Sequence, residues 1–415
     1  MKYLIVVTDG AGDDPVESLG GKTPLEVADM KTINELASMG EVGMVKTIPP
    51  GIAPGSDAAN LSVMGYDPAV YLTGRSPLEA ASMGIAMSDT DVSYRVNIIS
   101  LKRPDGTNPD LSDSDNYEDL IITDHSAGDI SSPEARVLIE AADSAFGNER
   151  MSLYPGVSYR HCMIIHNGHT DTAFTPPHDV LGKRVGDYLA QGRDSEYFKT
   201  LMKKSFELLC EHPVNRDRMC RGLNPANTMW IWGEGRKPAL SPFSEKYGIT
   251  KGSAISGVDL IKGIAVCAGL SAPHVDGATA TLDTNYEGKV EAAKNAFESG
   301  EDFAYIHIEG PDECSHQGDL EGKIECLKRI DRRIVRPMKE YFDVSGYEHR
   351  ILIVPDHRTP LAIRTHSSDP VPFVIYDSRA ERAKDDARKF NERSGAEGRY
   401  FDSGHALADY FFAGE

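Results

Sequence analysis

Apolar and polar positions along this chain fall into two textures. The opening run, MKYLIVVTDGAGD, is apolar for the length of a strand and stops at Asp9, where glycines follow. A short continuous apolar run closed by turn residues predicts a buried strand. TPLEVADMKTINELASMG then carries helical spacing with a glycine stop, and GEVGMVKTI predicts a second strand. The stretch PPGIAPGSDAANLSVMGYDP predicts a Pro/Gly-rich loop entering a helix near Ser56. From about Asp91 the texture changes. DVSYRVNIISL, DNYEDLIITD, MSLYPGVSYRHCMIIHNG and NTMWIWGEG predict strands, set between helices SSPEARVLIEAADSAFG and SEYFKTLMKKSFELLCEH. After RKPALSP at residues 236–242, KGSAISGVDLIKGIAVCAGL and EDFAYIHIEGPD resume the strand–helix alternation. ILIVPDH then repeats the opening design, an apolar strand ending in an acid.

Strands alternating with helices predict an α/β fold. The length of 415 residues exceeds a typical single domain. The change of texture predicts a discontinuous first domain, residues 1–80 and 240–415, with a second α/β domain, residues 81–239, inserted into it. An insertion of this kind predicts a ligand cleft between the domains. The formal net charge of -20 argues against a nucleic-acid surface or an anionic membrane as partner. A local Arg/Lys cluster would still serve a small anionic substrate. Six cysteines are scattered without a C-x-x-C pair, which fits free thiols in a reducing cytoplasm. The first apolar run is too short for a membrane span or a signal peptide and reads as a buried strand.

The candidate chemistry concentrates between Asp312 and His366. GPDECSH holds Asp312 and His316, ILIVPDHRTP holds Asp356 and His357, and RTHSSDPVPF holds His366. Carboxylate oxygen mixed with imidazole nitrogen suits Mn, Mg, Zn or Fe. Parallel strands gather their C-terminal ends on one sheet edge, so Asp9 and Asp356 at neighbouring strand ends could share a metal pair. Asp312 and His316 are four apart and could share a helical face. Each residue also has a plain reading: an Asp after a strand shapes a turn, and a lone His sits in a core or on a surface. Ser56 has two readings as well. It could cap the helix that begins there, or act as a nucleophile where helix N–H groups favour a phosphate. Cys314 reads as a small filler, with nucleophile as the alternative.

TDGAGD, PGSDAANLSVMGYDP, TGRSPLEAASMGI, PDECSH, PDH and THSSDPVPF occur in this order, and over nearly the whole chain the sequence resembles the archaeal-type cofactor-independent phosphoglycerate mutases of the alkaline phosphatase superfamily. The resemblance implies an alkaline-phosphatase-like metal domain. It implies that Ser56 is transiently phosphorylated and touches a metal bound by Asp9, Asp356 and His357. It assigns Asp312, His316 and His366 to a second metal, the pair being manganese, magnesium or zinc. The implied reaction interconverts 2-phosphoglycerate and 3-phosphoglycerate.

Arg95, His125, Arg160, His161 and Lys262 are the expected phosphate or carboxylate contacts, since Arg suits bidentate recognition of both groups. Arg75, in TGRSPLEA, is expected to orient a catalytic loop, and His178 and Asp179 to bind substrate or shape a turn. One departure bears on the substrate. Archaeal-type mutases often carry arginines in the stretch that here reads TDHSAGDIS, where this chain has His125 and Asp129. PGVSYRH and TPPHD also resemble proteins proposed to be homoserine kinases. An ATP-dependent homoserine kinase is therefore the alternative reading, with simple phosphatase activity and a non-catalytic metal-binding role behind it.

Overall fold

Chain contacts in the computed structural model, which describes residues 1–413, separate two units: Met1–Leu72 with Ala239–Glu415, and Thr73–Pro238. The first unit is built on a seven-stranded sheet. Its strands are β1 (Lys2–Thr8), β2 (Glu41–Val45), β10 (Gly252–Ile255), β11 (Phe303–Ile308), β12 (His349–Val354), β13 (Val371–Asp377) and β14 (Arg399–Phe401), in the order β10-β11-β1-β12-β13-β2-β14. β1 runs parallel to both neighbours, with Val6 opposite Ile306 on β11 and Ile353 on β12. β13 runs antiparallel to β12 and to β2. Residues 4–8 of β1 are all buried, because helices cover both faces of the sheet. That is why LIVV reads as a continuous apolar run and not as an alternation. On one face Leu4, Val6, Ile306 and Ile353 pack with Ile33, Leu36, Val290, Phe297, Leu327 and Ile330.

The helical pattern at residues 23–39 proves to be two helices, Pro24–Val27 and Lys31–Met39. Thr23 and Glu26 form a reciprocal capping box on the first, and Ala28 then turns extended. The second helix has no local side-chain cap. Its Ile33 N–H donates instead to Asp331 Oδ1 at 2.7 Å, 298 residues away in sequence. Helical spacing cannot reveal a cap that arrives from so far along the chain.

The second unit holds β3 (Val92–Lys102), β4 (Ile121–Asp124), β5 (Met151–Tyr154), β6 (Arg160–Ile165), the short β7 (Thr172–Ala173) and β8 (Gln191–Gly192), and β9 (Thr228–Arg236). β3 pairs antiparallel with β4, β6 and β9, and β5 pairs with β6. Helices Ser132–Phe146 and Ser195–Leu209 contribute Leu138, Ile139, Phe198 and Phe206 to a core with Val96, Ile98 and Trp230. The strand expected from DNYEDLIITD is confined to its last residues. Leu111–Asp119 is a tight 3-10 segment opened by an Asp110–Asp113 capping box. Short Asp and Ser side chains bond nearby backbone groups and so compete with sheet pairing. Among the described residues, no helix is long and apolar enough to cross a membrane.

A buried ion pair ties three segments of the first unit together. Lys323 Nζ lies 2.7 Å from Asp13 Oδ2, with both side chains at most 1% exposed. The same ammonium donates to the carbonyls of Gly12 and Thr359. Removing one partner leaves a buried charge without compensation. Asp13→Ala is expected to destabilise the protein by about 3–5 kcal/mol. Urea unfolding measures this, and an unchanged midpoint would show that the pair contributes nothing.

Candidate active site

Parallel strands bring the proposed ligands to one edge of the first unit. Asp9 follows β1 directly, and Asp356 and His357 follow β12, its parallel neighbour. The Gly10 N–H donates to Asp356 Oδ1 at 3.2 Å and so ties the two strand ends. Gly10 has φ +65°, and a Cβ there would stand 2.6 Å from the Asp312 Cα, so only glycine fits. Asp312 and His316 lie on helix Gly310–Gln317, which follows β11, with Oδ2 and Nε2 3.1 Å apart. His366, from the segment before β13, places Nε2 3.1 Å from His316 Nε2 and 3.5 Å from Asp312 Oδ1.

Ser56 is the first residue of helix Ser56–Val63, and the capping position is Gly55. The capping reading of Ser56 therefore fails: no side chain caps this helix, and the Ser56 Oγ lies 3.2 Å from His357 Nε2. Cys314 is buried, which pushes its thiol up to about 11, and that favours the filler reading over the nucleophile.

Charge is distributed unevenly over this cluster. Burial, reinforced by the negative charges of Asp356, Asp312 and Glu309, raises Asp9 well above the usual carboxylate range. Burial and the same neighbouring carboxylates push Glu309 up to about 8. Burial opposes ionisation of Asp312 too, but hydrogen bonds with His316 and His366 outweigh it and hold that carboxyl low. The hydrogen bond to Asp312 raises His316 to about 9. Burial holds His357 below its ordinary value. One side is thus a compensated Asp–His–His group, and the other is a set of carboxylates repelling one another out of water. Both carboxylate oxygens of Asp9 are buried without a hydrogen-bond partner. A cation is the compensation such a site calls for. Ligand atoms converge within 4.8 Å of one another in three groups: Asp312 with His316 and His366, Asp9 with Asp312 and His357, and Asp9 with His307 and Asp356. Mixed carboxylate and imidazole donors of this kind fit a first-row divalent ion or magnesium.

Several residues in this cluster escaped the sequence reading. Asn60, one turn beyond Ser56, donates to Asp356 Oδ2 at 2.8 Å and accepts from the Tyr305 hydroxyl. Its i+4 spacing from Ser56 was the available signal. The Thr359 hydroxyl donates to Asp312 Oδ1 at 2.5 Å and lies 3.2 Å from His357 Nδ1, bridging two of the expected ligands. His307, inside the apolar run FAYIHI, reaches within 3.0 Å of Asp9 Oδ2. Burial pulls its imidazole down to about 4, so it is neutral.

The expected substrate contacts fare differently. Arg95 is committed to a bidentate pair with Glu79, at 3.0 and 2.8 Å, and lies over the Trp232 ring. It is not an available anion contact. His161 points into the core of the second unit, accepts the Gly156 N–H through Nδ1, and is driven down to about 3 by burial. A neutral buried imidazole does not recognise an anion by charge. Arg160 is the first residue of β6 and the only exposed one in a strand otherwise buried on both faces, so its place at the strand end explains the split within Arg160-His161. Arg160 is exposed and lies over Tyr159. The rings of His125 and Tyr159 meet edge to face, and His178 stands between His125 and Trp232. His178 Nε2 is 3.6 Å from Asp179, and Asp129 is exposed. Arg75 is exposed just before helix Ser76–Ser82, within the second unit. Lys262 lies in the first unit, paired with Asp259 at 3.2 Å.

The sequence profile of the family described as 2,3-bisphosphoglycerate-independent phosphoglycerate mutase matches residues 37–215. A protein of that name from Methanosarcina barkeri is 45% identical over 400 residues, covering 96% of each chain. A probable 2,3-bisphosphoglycerate-independent phosphoglycerate mutase from Geobacter sulfurreducens is 45% identical, covering 91% of this chain and 90% of its own. Among solved structures, a Pyrococcus horikoshii protein superposes with a TM-score of 0.79 at 26% identity, over 99% of this chain and 96% of the other. The cofactor-independent phosphoglycerate mutase from Thermoplasma acidophilum superposes with a TM-score of 0.65 at 25% identity, over 99% and 98%. The mixed strand–helix architecture is the α/β class expected from the sequence, and these two superpositions share it over nearly the whole chain. With near-half identity sustained from end to end, the chain belongs to the 2,3-bisphosphoglycerate-independent phosphoglycerate mutase family of enzymes.

Proposed function

We propose that this enzyme interconverts 2-phosphoglycerate and 3-phosphoglycerate through a phosphorylated Ser56. In this reading Asp9, Asp356, His357 and Ser56 hold one divalent cation, and Asp312, His316 and His366 hold another. The observation that carries it is the place of Ser56: its hydroxyl opens a largely buried helix and lies 3.2 Å from His357, beside the desolvated carboxylates. Bound manganese, magnesium or zinc would neutralise phosphoryl charge and make the serine alkoxide accessible.

Ser56 gives up its hydroxyl proton, its Oγ–P bond forms as the glycerate O–P bond breaks, and the departing glycerate oxygen takes a proton. The other hydroxyl of the same glycerate then attacks phosphorus and loses its proton, and Ser56 is restored. Such transfer depends on positioning and charge neutralisation. The N-terminus of helix Ser56–Val63 directs backbone N–H groups toward the transferred phosphoryl group. Asn60 holds Asp356, and Thr359 holds Asp312 and His357, so the ligand geometry is prepared in advance. We assign recognition of the substrate's anion to Arg160, because Arg95 and His161 are otherwise engaged. Neither nucleotide nor 2,3-bisphosphoglycerate is required. Six free cysteines suit a reducing compartment, and the cytoplasm is the location we infer.

Ser56→Ala should abolish turnover while retaining bound metal, and mass spectrometry of quenched wild-type enzyme should find phosphate on Ser56. Normal turnover by the alanine variant would exclude the phosphoserine route. Chelation should abolish activity and a divalent salt restore it, while His316→Ala should lower metal content together with turnover; full activity in metal-free protein would remove the cations from the mechanism. Arg160→Ala should lower kcat/KM for phosphoglycerate roughly 10- to 100-fold, the cost of one charged hydrogen-bond partner, whereas Asp129→Asn should change it little. Inert phosphoglycerate, with ATP-dependent phosphorylation of homoserine that Asp129→Asn abolishes, would establish the kinase instead.

A further inference from the structure

We infer that His307 is a metal ligand, binding through Nε2 the cation that Asp9 and Asp356 share. The inference rests on the metal-dependent reading above and adds to its ligand set a residue embedded in an apolar strand.

His307 is 1% exposed, and its Nε2 lies 3.0 Å from Asp9 Oδ2. Despite that distance, neither atom has a hydrogen-bond partner. The two atoms therefore stand side by side and not donor to acceptor. Two donor atoms sharing one ion, each about 2.0–2.2 Å from it, lie roughly 3.0–3.5 Å apart, so the separation matches co-ligation. Asp356 completes the group, with all three ligand atoms within 4.8 Å of one another.

The other side of the ring agrees. His307 Nδ1 lies 3.2 Å from Ser256 Oγ, and that oxygen already accepts the Val258 N–H at 2.9 Å. A second lone pair on Ser256 Oγ can take the Nδ1–H. This tautomer turns the Nε2 lone pair toward the carboxylates, the arrangement that a hydroxyl or carbonyl behind a ligating histidine enforces. The backbone holds the residue as well: the His307 carbonyl accepts from the buried Lys289 ammonium at 2.9 Å, and β11 is paired with β1 on one side and β10 on the other. The two oxygens of Asp9 also face different imidazoles. Oδ1 lies 3.6 Å from His357 Nε2, whereas Oδ2 faces His307. A nitrogen donor added to carboxylates shifts preference from magnesium toward manganese or zinc.

The test is manganese titration of metal-stripped full-length protein, followed by calorimetry and by electron paramagnetic resonance. Wild type, His307→Ala and His307→Gln are compared, with circular dichroism to monitor folding. If His307 is a ligand, His307→Ala weakens one class of manganese sites roughly 10- to 100-fold or more and leaves the class containing His316 unchanged, which is an internal check on folding. His307→Gln, whose amide can donate a hydrogen bond to Asp9 but is a poor ligand, does not rescue the weakened class. The manganese-to-magnesium affinity ratio of that class also falls in both variants. Wild-type manganese affinity in His307→Ala, or full rescue by His307→Gln, overturns the inference while leaving the metal-dependent reading intact. Wild-type protein that binds no divalent ion overturns both.

Discussion

Desolvated negative charge at the end of three parallel strands is the constraint on which the rest of this structure depends. β11, β1 and β12 lie side by side, and the segments that leave them carry Glu309 and Asp312, Asp9, and Asp356 into one buried volume. Carboxylates this close in a medium of low polarizability repel one another strongly. The fold tolerates them only because the surrounding backbone is fixed by the sheet and because partners are brought to each group. Asp312 receives His316, His366 and Thr359, and Asp356 receives Gly10 and Asn60. Both oxygens of Asp9, and Oε2 of Glu309 beside it, are buried without a hydrogen-bond partner. The polarity of the site follows from that asymmetry, with Ser56 standing over the less compensated side.

Support for this arrangement comes from residues outside the carboxylate–histidine cluster itself. The buried Lys323 ammonium holds Asp13 and the carbonyls of Gly12 and Thr359, which pins the loop after β1 to the loop after β12. Thr359 then passes that placement to Asp312 and His357. The close approach at Gly10 lets the strand end meet helix Gly310–Gln317 without a side chain between them. Rigid placement is what phosphoryl transfer requires of a protein, since the reaction draws its rate from geometry and charge compensation.

The second unit shows how poorly residue type alone predicts a role. Arg95 and Arg160 are the same amino acid on adjacent strands, yet one is neutralised by Glu79 and stacked on Trp232, and the other is exposed. His161 follows Arg160 directly and is buried and neutral. A single sequence does not record which cation has met a carboxylate 16 residues away, nor which of two consecutive strand residues faces inward when both neighbours are polar.

Local pattern determined a great deal. Continuous apolar runs marked β1, β11 and β12 because a strand buried on both faces has no polar positions to alternate with. Acids at the ends of two such runs, a D-x-x-x-H on a helix and a serine at a helix start were legible for the same reason: each is set by spacing within a few residues. The motif order carried the family, and end-to-end identity agrees with it. What the tertiary structure decided is everything that requires knowing which strands are neighbours. The separate cap that Asp331 supplies to helix Lys31–Met39, the bridging of Thr359, the hold of Asn60 on Asp356 and the approach of His307 to Asp9 all join segments far apart in sequence. A histidine within FAYIHI looks like an ordinary core residue until β1 is placed beside it, because burial and coordination are properties of the assembled sheet and not of the strand.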